Sequence, residues 1–362
     1  KSQLELLRAA ILLGSSDKAK RLQAAGLLAA SGDPSTKTVL LERLKSETDA
    51  QVKAALQSSL RSVEATLAWG DKVAAVFSGL SLGSILLLVA LGLAITYGLM
   101  GVINMAHGEL MMIGAYATYV VQGVFQKFLP GLFDWYLLAA VPVAFMAAAL
   151  MGAALERGII RFLYGRPLET LLATWGVSLI LQQFVRSVSS AFAIGLVVAV
   201  VAGLLIPRFT PARWWQQRWT PLLGTGSWIV TGLLGVVIAA LLGEQRVFDQ
   251  PWFSARNIDV TAPVWLRGSI DVGAVNMPAA RLFIIALTVI ALLAVSWFLQ
   301  KSVWGIRIRA VTQNRSMSDC LGIPTEKVDA LTFLIGSGLA GVAGVAVTLL
   351  GSVGPNLGGN YI

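Results

Sequence analysis

Two clusters of polar side chains stand inside apolar sequence, where a polar group needs a reason. The first is Asn104, His107 and Glu109 in GVINMAHGELMMIGAYATY; the second is Thr174, Ser178 and Gln182 in LLATWGVSLILQQFVRSV. In hydrocarbon such groups are costly unless they meet one another or line a wet cavity. Together they offer amide, imidazole, carboxylate and hydroxyl groups, which can pass a small polar solute from one hydrogen bond to the next. On helical spacing Asn104 and His107 share a face, and Glu109 points to a different wall. Thr174, Ser178 and Gln182 recur every four residues and share one face as well. Satisfied hydrogen bonds between helices would use the same residues, and at this level both readings stay open.

Other patterns carry less chemistry. Gly79-Leu80-Ser81-Leu82-Gly83 matches GxSxG, the nucleophile elbow of hydrolases, but it opens an apolar helix and has one possible histidine partner, His107. Close helix packing through Gly79 and Gly83 is the simpler expectation. The segment KSVWGIRIRAVTQNRSMSDCLGIPTEKVDALTF is basic and lies between two apolar runs. Arg307 to Met317 is expected to form a short amphipathic helix, Gly322-Ile323-Pro324 to stop it, and Thr325 to cap the next. A soluble motor could push on such a projecting helix; an ordinary basic loop held at anionic lipid is the alternative. In GSGLAGVAG, Gly336, Ala340 and Gly344 fall at four-residue spacing, a row that permits tight helix crossing. No Walker A pattern, GxxxxGK[ST], occurs, so ATP would have to be bound by another chain.

The elements that must position these residues follow from composition. Of 362 residues 56% are hydrophobic and 13% charged, against about 25% charged in soluble domains. The charge is uneven: residues 1–72 hold 19 of the 47 charged side chains, leaving 28 for the remaining 290. That is too few to cover a water-facing surface. A small polar domain over 1–72 followed by a membrane body over 73–362 fits; no soluble class does. The expected fold is all-α and polytopic. Spans of about 20 residues are read near 75–98, 102–125, 136–155, 169–186, 189–206, 226–243, 281–300 and 331–352, about eight helices in all. One cysteine (Cys320) and one histidine exclude a disulfide framework, a thiolate cluster and any two-imidazole site, so no metal site is expected.

The net charge of +9 suggests nucleic acid only until the basic residues are placed. With the N-terminal domain outside, 11 of the body's 17 basic residues fall in the linkers 156–168, 207–225 and 301–330, which become cytoplasmic. The excess charge is then topological, and no nucleic-acid partner is expected. Residues 1–72 show helical periodicity and a faint repeat at offset 32: Asp17 with Asp49, Arg21 with Lys53, Leu28 with Leu60. They resemble a HEAT-like repeat, which needs about three units to be stable, so further repeats upstream of Lys1 or docking on the membrane body are expected.

GLSLGSILLLVALGLAITYGLMGVINMAHGELMMIGAY resembles the start of LivH-type permeases of branched-chain amino acid ABC importers. LLATWGVSLILQQFVRSV, together with the stretch from Arg309 to Ile362, is more similar to the urea-importer branch of that family, as is a polar domain ahead of the first span. The resemblance covers 73–186 and about 256–362. It implies a bacterial inner-membrane, multi-pass permease subunit with no cofactor of its own. Its partners would be a second permease, two cytoplasmic ATPases that hold ATP and Mg, and a periplasmic substrate-binding protein, all beside membrane lipid. It further implies an ATPase-coupling segment near 307–323, with Arg307, Arg309, Asn314, Arg315 and Gly322 the candidate contacts. Residues 188–255 look like an inserted helical hairpin, and members of the family continue beyond Ile362.

On this reading the chain catalyses no reaction and moves urea, or a similar small polar amide, past Asn104, His107, Glu109, Thr174, Ser178 and Gln182. Two alternatives stand beside it. A branched-chain amino acid importer would need a charged group for a zwitterion, and Glu109 is the sole acid deep in a span; a passive urea channel would need no motor contact.

Overall fold

In a computed structural model of the chain, residues 2–189, 191–192, 194–195, 197–199, 201–202, 220–243, 257–272 and 275–361 are described. Twelve helices are named here: α1 (Ser2–Leu12), α2 (Lys18–Leu28), α3 (Pro34–Ser46), α4 (Ala50–Met100), α5 (His107–Phe128), α6 (Tyr136–Gly158), α7 (Pro167–Ser187), α8 (Thr220–Gly243), α9 (Ala279–Lys301), α10 (Val303–Gln313), α11 (Arg315–Cys320) and α12 (Thr325–Thr348). The all-α expectation needs one correction: β1 (Ser269–Val272) and β2 (Val275–Pro278) pair antiparallel, Ile270 opposite Met277.

The chain forms two compact units, Lys1–Leu87 with Ala262–Leu293, and Leu88–Thr261 with Ala294–Ile362. In the first, three aspartates sixteen residues apart accept from backbone N–H groups where helices begin: Asp17 from Ala19, Asp33 from Ser35, Asp49 from Gln51. Each satisfies a donor that a helix N-terminus leaves unpaired. The helices bury Leu13, Leu28, Leu40, Val52, Leu56 and Val63 against small Ala24 and Ala25. Buried Glu47 takes Arg21 at 3.2 Å. Further along, Thr288 donates to the Ser84 carbonyl at 3.3 Å. Gly79 and Gly83, expected to pack closely, have open space where a Cβ would stand, so neither glycine brings helices together; Ser81 between them is buried.

In the second unit α12 is the central helix. Its apolar window is 78% buried, against 22–33% in the other four candidate membrane helices. The reason is its glycines. A Cβ on Gly341 would fall on the Ala144 carbonyl of α6, one on Gly344 on the Met111 carbonyl of α5, and one on Gly336 on Gly92 and Thr96 of α4. Backbones approach this closely only without side chains between them. Exposed leucines and isoleucines on the surrounding helices, among them Leu150, Leu172 and Ile180, suit a lipid-facing surface.

Five helical segments among the described residues are long and apolar enough to span a membrane: Ala50–Met100, Pro130–Phe162, Pro167–Ser187, Ala279–Lys301 and Thr325–Thr348. The span expected at 102–125 corresponds to α5, which starts later, at His107, and is not one of these five. The one expected at 226–243 falls in α8, whose apolar stretch is Val230–Leu241. The one at 189–206, with most of the 188–255 insertion, lies largely outside the described residues. The polar-to-apolar change near residue 72 does not interrupt the helix: α4 runs on for 51 residues.

Candidate transport pathway

The chain between α4 and α5 is irregular and turns back into the unit. α4 stops at Met100 because Gly101 takes φ +68, a conformation other residues avoid. Val102 then packs with Ile160 and Phe333. By His107 the chain has climbed back beside Val89, whose carbonyl takes the imidazole Nε2 at 3.1 Å. Val89 lies about 16 Å below the end of α4 at 1.5 Å per residue. Residues 101–104 form no regular element, and the segment closes in a turn in which His107 N donates to the Asn104 carbonyl at 3.3 Å. Asn104 is therefore outside the helix, which corrects the shared face expected with His107: its Oδ1 accepts from Ala106 N at 3.0 Å instead.

This turn brings the two polar clusters together. Thr174 Oγ1 of α7 accepts from Met105 N at 3.1 Å. One turn on, Ser178 donates to Glu109 Oε1 at 3.0 Å, and Gln182 Nε2 donates to the same oxygen at 2.7 Å. Glu109 thus points to a different wall from His107, that of α7. It stands in the first turn of α5, where the helix dipole favours a negative charge. From the other side Gly358 lies on the backbone of Gly108 and Glu109 so closely that a Cβ would clash.

Among the described residues, three buried polar atoms within six residues have no hydrogen-bond partner: Asn104 Nδ2, His107 Nδ1 and Glu109 Oε2. Their residues are 1–2% exposed. A carbonyl can only accept, so His107 Nε2 carries the proton facing Val89 and Nδ1 presents a lone pair. One donor and two acceptors therefore stand unused at an interrupted helix. Unpaired buried groups cost about 1–3 kcal/mol each, and irregular backbone at membrane depth is tolerated where it is covered by protein or lines a cavity.

Residues 75–361 match the family described as the branched-chain amino acid transport system / permease component. The chain belongs to that family. The permease is 28% identical to the high-affinity branched-chain amino acid transport system permease protein LivH of Salmonella typhimurium, over 78% of this chain and 73% of that protein. It is 27% identical to LivH of Escherichia coli over the same shares. It is 24% identical to BraD of Pseudomonas aeruginosa over 78% and 72%. No solved structure matches it. Family and apolar helices together make it a multi-pass inner-membrane protein that is the permease component of an ABC transport system.

At the other end of α7 and α12 from Gln182 the permease carries its basic segment. The helix expected over Arg307–Met317 is two, α10 and α11, because Asn314 ends the first and its Oδ1 accepts from Met317 N at 3.0 Å. Gly322, at φ +79, turns the chain into α12. Thr325 does not cap that helix; its hydroxyl donates to Asp319 at 3.4 Å, and Pro324 stands at the cap position. Ile308 and Val311 of α10 pack on Val328, with Leu99, Trp304 and Ile323 around them. Thr312 donates to the Leu99 carbonyl at 3.2 Å, which ties α10 to the last turn of α4.

A charged cluster anchors α11. Arg315 pairs with buried Asp329 of α12 and lies 4.9 Å over the ring of Tyr164. Tyr164 donates to buried Glu156 at 3.3 Å. Burial, with Asp329 and Glu156 adding to it, holds the Tyr164 phenol well above its usual range, so it remains a donor. Arg161 pairs with Glu326 at 2.6 Å. Arg307 lies over Trp304, and Arg309 is exposed. Sequence reasoning named Arg315 and missed Asp329, Glu156 and Tyr164. An Asp and a Glu in otherwise apolar stretches were the signal available for them.

Proposed function

We propose that this chain is the membrane-spanning subunit of an ATP-driven importer that admits a small solute along the face of α7 to the interrupted helix at 101–109. The observation that carries this is the trio of unused buried polar atoms on Asn104, His107 and Glu109, set against the Thr174, Ser178 and Gln182 ladder. A discontinuous helix with its N-terminus and free polar groups inside a membrane body is the arrangement transporters use to hold a solute. ATP hydrolysis takes place in two partner ATPases, which hold ATP and Mg. Their movement reaches the bundle through α10 and α11: Thr312 joins α10 to α4, and Arg315 joins α11 to α12. A second permease subunit and a periplasmic solute-binding protein complete the assembly. Because the end of α4 meets the basic segment, that end lies in the cytoplasm, and residues 1–72 enter from the periplasm as a HEAT-like domain.

For the solute, the names of the relatives favour a branched-chain amino acid. Urea is the second reading. It has its own support in the likeness of LLATWGVSLILQQFVRSV and the polar N-terminal domain to the urea branch, and in the uncharged donors of Thr174, Ser178 and Gln182. Thermal melting of the partner binding protein separates the two: stabilisation by leucine and not urea supports the first, and the reverse overturns it. Uptake that persists after substitution of Arg309 or deletion of 313–317 would remove the importer reading in favour of a passive channel.

A further inference from the structure

The polar ladder of α7 does not end at Gln182. One further step of four residues brings Arg186, about 6 Å along the axis, and its guanidinium donates to Asn356 Oδ1 at 2.5 Å. Asn356 belongs to the chain that follows α12. That stretch is held in place by backbone bonds between Ile258 and Val353, 2.7 Å in each direction, and by the close approach of Gly358 to Gly108 and Glu109. Between these elements is a cavity of about 550 Å³ lined by Arg186, Asn257, Ser352, Asn356 and Asn360. Arg161, in the short turn ahead of α7, pairs with Glu326 in the first turn of α12, and Arg186, in the last turn of α7, bonds to Asn356 beyond the far end of α12. The cavity therefore opens on the side opposite the basic segment.

Its chemistry is one-sided. Arg186 offers fixed donors, of which Asn356 engages one, and three asparagine amides can turn donors inward. Beyond it, at Gln182, the ladder reaches Glu109, whose Oε2 is buried without a partner among the described residues and can only accept when ionised. We infer that this cavity is the admission site of the permease, where Arg186 and the asparagines take the oxygen end of a solute whose N–H end is passed to Glu109. The solute class is a carbonyl or carboxylate oxygen flanked by N–H donors. A zwitterionic amino acid and urea both have this form, and Arg186 distinguishes them: a carboxylate needs its charge, whereas a neutral carbonyl needs only a donor. The inference rests on the importer reading and names the site at which that importer selects.

The test uses the assembled transporter with its ATPases and binding protein in proteoliposomes, in a Cys320→Ser background because Cys320 is exposed. Arg186→Met is expected to lower uptake at least about tenfold, the effect of losing a charge-assisted hydrogen bond. Arg186→Gln is expected to lower uptake as far if the solute is leucine, and only a few-fold if it is urea. Asn360→Cys is expected to react with a membrane-impermeant thiol reagent from the binding-protein side, and solute-loaded binding protein should slow that reaction. A parent transporter that takes up solute, with Arg186→Met unchanged and labelling unprotected, overturns the inference and leaves the importer standing. A parent with no ATP-driven uptake overturns the importer, and the inference with it.

Discussion

Arg315 and Asp329 are unequal partners, and the inequality gives a measurable order of damage. Asp329 is 3% exposed at its side chain and Arg315 is 46% exposed. Removing Arg315 leaves a carboxylate buried and uncompensated. In a fully buried pair that loss is about 3–5 kcal/mol; half-exposure of the arginine admits water and reduces it to about 2. The cation over Tyr164 adds about 0.5–1 kcal/mol. Arg315→Ala is therefore expected to destabilise by about 2–3 kcal/mol. Asp329→Asn, which leaves a cation that can still reach water and stack on Tyr164, is expected to cost about 1 kcal/mol. Arg315→Ala with Asp329→Asn should recover part of the loss, since no orphan charge remains. Thermal unfolding of the purified transporter in detergent gives the order, and the ATP hydrolysed per solute moved should rise in Arg315→Ala as α11 loosens from α12. Equal damage from the two single substitutions, or a double variant that loses their sum, would refute the reasoning.

Three further outcomes follow from the geometry. Glu109→Gln should lower uptake by about tenfold or more with little loss of thermal stability, because Ser178 and Gln182 keep an oxygen to donate to; unchanged uptake would separate this cluster from transport. Gly344→Val, which drives a side chain into the Met111 carbonyl of α5, should cost about 1–3 kcal/mol or more and reduce the yield of folded protein, whereas Gly79→Val, with open space at its Cβ, should not. In the N-terminal helices, Lys18 and the amides of Gln51 and Val52 hold the Asp49 carboxyl below its ordinary 3.8. A carboxyl held low contributes stability above its unfolded value, and that contribution is lost as pH falls through the lower folded value. Acid unfolding of these helices should accordingly lose part of its pH dependence in Asp49→Asn, as followed by circular dichroism.

What sequence could supply was periodic and what it missed was long-range. The four-residue recurrence of Thr174, Ser178 and Gln182 is a property of one helix, and α7 presents all three to a single partner. That this partner includes Glu109 depends on the turn at 101–106, and no proline marks the turn; the break rests on Gly101 and on Asn104 bonding to Ala106. Placing Asn104 in a helix followed from apolar neighbours that suit a helix and an extended strand equally. The glycine row in α12 was legible, but its closest contacts include Gly341, outside the four-residue row, because crossings with α4, α5 and α6 use different faces. At residue 72 the change in composition is sharp while the backbone is continuous, since no proline occurs between Pro34 and Pro130 to end α4.

Reconstitution tests the central claim most directly. The permease, its second permease subunit and both ATPases are placed in liposomes, with the loaded binding protein outside, and radiolabelled leucine and urea are followed over time. The account predicts accumulation against a gradient of one of these solutes, dependent on ATP and on the binding protein, and abolished by deleting 313–317. Solute entry that only equilibrates, at the same rate without ATP or with 313–317 removed, would contradict it.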